Sequence, residues 1–564
     1  MTTETKTQRV ERLKREKNPW EALDEIRRFA GEGFASIPPE WLGTYFRWWG
    51  VYTQGDGQGV VGGQGGEGRA VPYFMLRIRI PNGLLHSRQL MTIADLSERY
   101  ARAIADITVR QNMQLHWIAI EALPEVLEAL WRCGLNTTGA CGDVTRNVTG
   151  CPLAGFDAEE LCDASPLALE ATQLLAGNAE FYNLPRKFKI SITGCRAWCT
   201  YPEINDVGLT AIRRSLRGQE EIGFSLRVGG GLSTEPHLGT RLDAFVRWHQ
   251  VLPVLHGIAR LFRDSLSLRE HRERARLKFL FLRQGWTAED FLRELEGRIG
   301  FRLDRAVEEN PPADVYRDHV GIHPQKQPGY CYVGSAVLRG RIDPQQMRAA
   351  ARLAERFADG QLRTTNMQNL LIVNVRRENA HRLAQELEGA ALPVGGSPFW
   401  RGAIACSGSE FCKLALTETK SFSRWLVEEL EERLPEFDQD LKLHVTGCPN
   451  SCGQHWIADL GIEGKKLKVG GRMIDAYYFC VGGAVGRNQT IARPIGYRCA
   501  AREVPDAIER LLRAYLLERW PGENLRQFFA RHRDEELRRF LAGHIGEAVA
   551  RDLPAGSVPH GLEG

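Results

Sequence analysis

ISITGCRAWCTYPEINDVG at residues 190–208 and LHVTGCPNSCGQHWIADLG at residues 443–461 are one pattern written twice. Gly194, Cys195, Cys199 and Asp206 fall on Gly447, Cys448, Cys452 and Asp459 at a constant offset of 253 residues. The repetition continues outward. VGGG at 228–231 answers VGGA at 481–484, and TVRQNMQLHWIAIE at 108–121 answers TTNMQNLLIVNV at 364–375. Self-similarity over this length predicts two copies of one supersecondary unit, facing each other across a shared site. Residues 73–135 read strand, helix, strand, helix in YFMLRIRI, IADLSERYARAI, MQLHWIAI and LPEVLEALWRCG, and 330–391 repeat that order. The expected fold class is α+β, with two pseudo-symmetric repeats. Each repeat is a ferredoxin-like half domain followed by an α/β domain that carries a TGC segment.

The expected boundaries follow from that order. Residues 1–72 form an N-terminal arm and a Gly-rich loop, and 73–140 the first ferredoxin-like half domain. Residues 141–310 form the first α/β domain with a basic helical linker, and 311–395 the second half domain. Residues 396–564 form the second α/β domain with C-terminal helices, the helical pattern running over 505–545. The loop GDGQGVVGGQGGEG (55–68) has neither P-loop nor Rossmann spacing.

Composition excludes several classes. The 74 Lys and Arg nearly balance 70 Asp and Glu, leaving a net charge of +4, so bulk charge gives no argument for nucleic acid. The N-terminus MTTETKTQRVERLKREKNP has no apolar signal region, and no apolar run reaches the ~18 residues that span a membrane. The 13 cysteines, an odd number, therefore read as reduced thiols or metal ligands. The expected compartment is the bacterial cytoplasm, a plastid being the alternative. Arg260, Arg263, Arg269, Arg272, Arg274, Arg276 and Lys278 crowd one stretch, readable either as a solvated helix face or as a docking patch for an acidic partner.

Two features split the copies. Only the second has an upstream pair, Cys406-x5-Cys412, beside Cys448-x3-Cys452. Four thiolates in two local pairs suit a tetrahedral zinc or an iron–sulfur cluster, and the five-residue gap counts mildly against zinc. The bland alternative is four unrelated buried thiols. Cys195 and Cys199 copy the spacing without such a pair and read as relics of the repeat, with Cys141 and Cys151 upstream at a different spacing. Only the first copy carries a dense set of cations. In YFMLRIRI (73–80), Arg77 and Arg79 share a strand face opposite Phe74, Leu76 and Ile78. In LPRKFKIS (184–191), Lys187 and Lys189 share a face opposite Phe188 and Ile190. Flanking apolar runs favour an inward-facing anion site over a solvated edge.

ACSGSEFCKLALTETK (405–420) with TGCPNSCGQ (446–454) closely resembles the sirohaem and [4Fe–4S] segment of the ferredoxin-dependent nitrite/sulfite reductase family. The resemblance covers about 50–545 and includes the duplication. It implies that each α/β domain is of the sirohaem/Fe–S type, with one sirohaem and one [4Fe–4S] cluster in the chain. Cys406, Cys412, Cys448 and Cys452 would ligate the cluster, Cys452 also bridging to the sirohaem iron. Arg77, Arg146 of ACGDVTRNVTG, Lys187 and Lys189 would bind substrate oxygens and supply or relay protons. Arg110, Gln114 and His116 would hold the macrocycle's carboxylates, with Asn366 and Gln368 as counterparts on the far side. Gly229, Gly230 and Gly231 would bring backbone N–H groups close to a carboxylate. Read without the family, His116 is a satisfied core histidine. Tyr52 and Cys141 match positions near the active site of mycobacterial-type members and otherwise read as packing.

The activity implied is a six-electron reduction of a small oxyanion, sulfite to sulfide or nitrite to ammonia. No GxGxxG stands between a strand and a helix, so electrons are expected from a separate ferredoxin, with the reductase a monomer. Lys189 stands where plant-type nitrite reductases carry asparagine and sulfite reductases lysine. The cluster segment itself sits nearer to the nitrite type. The expectation is sulfite, with nitrite or both substrates as the alternative. A non-catalytic Fe–S or zinc scaffold ranks below these. So does a dissimilatory sulfite reductase subunit, because those enzymes divide the two halves between chains.

Overall fold

The structure, a computed structural model, describes residues 4–60, 67–216, 218–313 and 315–543. Positions 61–66 of the Gly-rich stretch and 544–545 of the expected C-terminal helical segment lie outside the described residues.

Alternation in YFMLRIRI produces the strand Ala70–Ile78, and its apolar set Phe74, Leu76 and Ile78 is completely buried. Met113–Ile118 pairs with it antiparallel, Arg77 facing Gln114 across the ladder. The second copy builds the same ladder from Tyr330–Ser335 and Leu370–Arg376, with Gly334 facing Leu371. The irregular backbone repeats too. Asn82, Gln111 and Trp117 have positive φ, as do their counterparts Arg339, Gln368 and Asn374. Non-glycine residues adopt this conformation rarely, so its recurrence pins the register of the two copies.

Each half domain finishes its sheet with a strand from the other. Leu84–His86 pairs with Gln361–Thr364, and Arg341–Ile342 pairs with Ala105–Ile107. Helices Ser87–Tyr100 and Pro344–Phe357 pack together over one continuous core that includes Leu76, Leu115, Val333 and Ile372. Truncating Leu76, Leu115 or Ile372 to alanine would cost about 2–5 kcal/mol. The exchanged strands bind the two copies into one platform.

The two α/β units follow one plan. Ile190–Thr193 and Val207–Leu216 run parallel, and Gln219–Val228 and Thr240–Arg247 continue antiparallel. Leu443–Thr446, Leu460–Val469, Arg472–Val481 and Arg493–Ala500 repeat this, with Ala403–Ala405 added parallel at the edge. In the first unit that edge strand shrinks to a bridge between Thr149 and Ser191. Separate cores lie beneath, one around Phe188, Phe224 and Phe262 and the other around Leu443, Phe479 and Tyr515.

Two sequence expectations change. Residues 187–189 form no regular strand, which starts only at Ile190; Phe188 is held by a single bridge to Thr145. The alternation still holds, with Phe188 and Ile190 fully buried. The basic stretch is neither a solvated helix face nor a surface patch over much of its length. Arg272 turns inward to Asp143, Arg276 to Asp206, and Lys278 to the carbonyls of Gly231 and Leu232. Arg269 pairs with Glu11 of the N-terminal helix Lys6–Glu16. Burying that many cations requires partners, and the chain supplies them from distant segments.

Candidate functional site

The TGC loops leave the C-terminal ends of parallel strands. In the second unit the loop after Thr446 turns through Ser451 and Gln454, both at positive φ, just as Trp198 and Tyr201 are in the first. Gly453 is required there, since a Cβ would lie 2.3 Å from the Val445 carbonyl oxygen. Cys406 leaves the neighbouring strand Ala403–Ala405, and the short helix Gly408–Phe411 carries the chain on to Cys412. The backbone N–H groups of Gly447 and Gly408 point at Cys406 Sγ, at 3.2 and 3.4 Å.

The sulfurs of Cys406, Cys412, Cys448 and Cys452 lie near one another: Cys406, Cys412 and Cys448 all feel Cys452, and Cys448 feels Cys406 and Cys412 as well. Burial, then the neighbouring Cys452 thiolate, pushes the Cys412 thiol up to about 12 and raises those of Cys406 and Cys448. Thiols raised in this way stay protonated by themselves; as four thiolates they would be held by a positively charged centre among them, such as an iron–sulfur cube. Backbone N–H donors aimed at sulfur complete the fit. Cys452 differs from the other three in being exposed.

Cys452 looks onto a cluster of cations from the first half. Arg77, Arg110, Arg146, Lys187, Lys189 and Arg276 interact with one another or with the Cys452 sulfur. Burial, then Arg276 and Arg186, lowers Lys187 to about 7, and burial with Arg110 and Lys187 lowers Lys189 well below the usual lysine range. Arg110 falls to about 9 by burial and the neighbouring Arg146. Among the described residues, neither lysine ammonium makes a hydrogen bond or ion pair. Six cations gathered around one paired carboxylate, Asp206 on Arg276, keep an excess of positive charge that forms a cradle for an anion, and a polycarboxylate macrocycle beside Cys452 fits it.

Other predicted site residues hold the scaffold. Arg146 donates to the carbonyls of Ala140 and Gly142, at 3.2 and 2.9 Å. Arg77 Nη1 lies 2.9 Å from Cys141 Sγ and its guanidinium is near the Tyr52 ring, so these two residues belong to the site's wall. Gln114, with its amide oxygen turned toward Arg77, accepts from Nη2 at 2.6 Å and Nε at 3.2 Å. Arg110 reaches Asn205 Oδ1 and the Asn147 carbonyl, each at 2.6 Å.

Five further predicted residues make contacts within the protein. His116 stacks on Phe411 and bonds Asp106 at 2.9 Å through Nε2, inside a buried network with Arg341, while its Nδ1 has no partner among the described residues. Gln368 splints the edge strand: it donates to Ala405 O and accepts from Ala405 N, both at 3.1 Å. Its structural counterpart is Gln111, which does the same to Gly150, not Gln114. Asn366 donates to the Cys199 carbonyl at 3.2 Å. The Gly229 N–H is taken by the Asp206 carbonyl at 2.9 Å, while Gly230 packs where a Cβ would lie 2.2 Å from Glu203 O.

Sequence reading missed Arg276 and Asp206 as site residues. Arg276 grips Asp206 through two bonds of 3.0 and 2.8 Å, and Asp206 Oδ2 accepts from the Lys189 N–H at 2.8 Å. The repeated aspartate was the available signal, because Asp459 caps the Lys442 N–H identically at 2.8 Å.

Comparison with known proteins agrees with this architecture. Residues 141–303 and 397–541 match the family described as nitrite and sulphite reductase 4Fe-4S domain. Residues 67–131 and 323–390 match the nitrite/sulfite reductase ferredoxin-like half domain. The assimilatory ferredoxin-dependent nitrite reductase of Haloferax mediterranei is 36% identical over 536 residues, covering 90% of this chain and 88% of its own. A sulfite reductase [ferredoxin] of Mycobacterium tuberculosis is 35% identical over 540 residues, covering 93% and 95%. The solved structure of the Mycobacterium tuberculosis NirA protein superimposes with a TM-score of 0.88 at 34% identity, covering 94% of this chain and 97% of that one.

Proposed function

The chain belongs to the nitrite and sulphite reductase family, and from that premise we propose that it reduces sulfite to sulfide with electrons from reduced ferredoxin. It is an oxidoreductase of the ferredoxin-dependent sulfite/nitrite type. Sirohaem and the [4Fe–4S] cluster, when bound, supply an iron that takes the anion and a store that delivers six electrons singly. Cys406, Cys412, Cys448 and Cys452 would hold the cluster, and the cations around Lys187 the macrocycle's carboxylates.

The observation that carries the reading is the pair of unpartnered lysines, Lys187 and Lys189, enclosed with Arg77 and Arg146 beside the exposed Cys452 sulfur. An arriving anion supplies the missing counter-charge, so the lysines take up protons as it binds. Each departing oxygen leaves as water and needs two protons, and a lysine near neutrality both holds and releases one. Arg77 and Arg146, anchored to Cys141 and the 140–142 backbone, give fixed donors that cost no reorganisation.

Two lysines that take up protons as an anion binds favour a dianion such as sulfite over nitrite. Nitrite is the second reading, favoured by the similarity to the Haloferax mediterranei enzyme. Steady-state kinetics with reduced ferredoxin separate them. The expectation is a higher kcat/KM for sulfite, no turnover with NADPH alone, and a rate that falls with ionic strength if docking is electrostatic. A higher kcat/KM for nitrite selects the alternative, and direct NADPH oxidation removes the separate carrier.

A further inference from the structure

The relic cysteines of the first half have company. Thr149 bridges Ser191 in parallel as Ile404 pairs with His444, so Cys151, two residues on, stands where Cys406 stands in the second half. Cys151, Cys195 and Cys199 are thus the structural counterparts of Cys406, Cys448 and Cys452. The irregular edge hid this from sequence spacing. What is missing is a counterpart of Cys412.

His319 fills that vacancy from another segment. One donor atom from each of Cys151, Cys199 and His319 lies within 4.8 Å of the others, and Cys195 Sγ lies 3.6 Å from Cys199 Sγ. All four residues are buried, with 4% exposure at most. Neither ring nitrogen of His319 has a hydrogen-bond partner. A buried imidazole without any partner is costly unless something absent from the protein atoms meets it.

The segment is held there deliberately. His319 has φ 62, and a Cβ on Gly334 would lie 1.8 Å from the His319 carbonyl oxygen. Gly334 occupies the ladder position that Arg77 occupies in the first half domain. Losing the side chain there lets the His319 backbone lie against the sheet and aim the ring at the sulfurs. Asp318, fixed by Arg401 at 2.6 Å, and Asn369, bonded to the Asp318 carbonyl at 3.1 Å, hold the turn from either side.

We propose that Cys151, Cys195, Cys199 and His319 form a second metal site, binding one structural zinc ion in a Cys3His tetrahedron. Tetrahedral zinc with Zn–S of about 2.3 Å and Zn–N of about 2.0–2.1 Å places its donors roughly 3.3–3.8 Å apart; Cys151, Cys199 and His319, within 4.8 Å of one another, would draw in slightly around the ion, and Cys195, outside that trio but 3.6 Å from Cys199, would close in as the fourth ligand. Three thiolates and a neutral imidazole leave the site with one negative charge. Arg317, paired with Asp157, lies beside Cys151 and Cys199 and offsets it. Leu153, Ala154, Leu371 and Val373 seal the site, leaving no open position for substrate. Its task is structural: it ties the first TGC loop to the second ferredoxin-like half domain, as Cys452 and Arg77 meet on the opposite side.

The test is metal analysis of the whole holoenzyme purified without chelator, together with zinc-edge X-ray absorption. The expected result is one zinc per chain in addition to the iron, with a first shell of three sulfurs and one nitrogen. His319→Ala and Cys199→Ser should lower bound zinc about tenfold or more while the visible spectrum of the iron cofactors persists. Holoenzyme without zinc, or zinc with an oxygen-only shell, overturns the proposal. So does zinc that stays at full occupancy in both variants. The absorption measurement needs only the wild-type protein, so it decides the matter even if a variant fails to fold.

Discussion

The two sulfur sites are built from the same loops and end differently. In the second α/β unit, Cys452 is exposed toward Arg77 and the lysines. In the first, Cys199 is 4% exposed and faces His319. The loops themselves are superimposable in plan, down to the left-handed residues Trp198 and Ser451, Tyr201 and Gln454. The difference comes from the opposing half domain. Where it presents Arg77, the sulfurs border a cationic space; where it presents Gly334, the chain closes in with a histidine. Duplication supplied two equal sulfur-bearing loops, and one ladder position in each platform half decided which would stay open.

The sharpest way to break this comparison is to remove equivalent cysteines. Cys452→Ser should abolish the cluster's absorption and bring sulfite and nitrite reduction to background. Cys199→Ser should leave the iron cofactors spectroscopically intact. Equal loss of iron absorption in both variants would mean that the two sites are not separate centres.

The cationic side can be sharpened at Lys189. Lys189→Asn replaces a full charge by a neutral amide, and a lost charge-assisted contact costs about 1.5–3 kcal/mol, roughly ten- to a hundredfold. That loss is expected in kcat/KM for sulfite, with nitrite spared or improved. Equal loss on both substrates would assign Lys189 to the macrocycle or to the general shape of the site.

The smallest effect is on stability, in protein prepared without cofactors. Folding lowers Lys187 to about 7, below its unfolded value near 10.4, so the unfolded chain binds more protons above neutrality. Stability should therefore rise from pH 7 to about 8.5, by about 1–2 kcal/mol. Above that, the raised thiols of Cys406 and Cys412 act oppositely, since the folded chain then keeps protons the unfolded one releases. Lys187→Met should make the rising limb shallower, the lowered Lys189 and Lys278 supplying what remains, as followed by denaturant titration at each pH. An unchanged limb in that variant would mean that Lys187 is not the group responsible.

Much of the architecture was legible in the chain itself. The TGC repeat, the alternation around Arg77, and the two cysteine pairs depend on local spacing, and local spacing survives in sequence. Periodicity alone placed Phe74, Leu76, Phe188 and Ile190 inside and Lys187 and Lys189 on the opposite face. Tertiary structure decided the rest. Gln368 and Gly229 carry residue types that suit a carboxylate, yet their polar groups are taken by Ala405 and Asp206, which no spacing rule foretells. Arg276 and Lys278 sit in a basic run that reads as surface, and only the fold brings Asp206 and the Gly231 carbonyl to meet them. Cys151 and His319 lie 168 positions apart by number. They meet because two half domains exchange strands and a glycine leaves room, and a side chain's partner across such an interface is fixed by packing rather than by its neighbours in the chain.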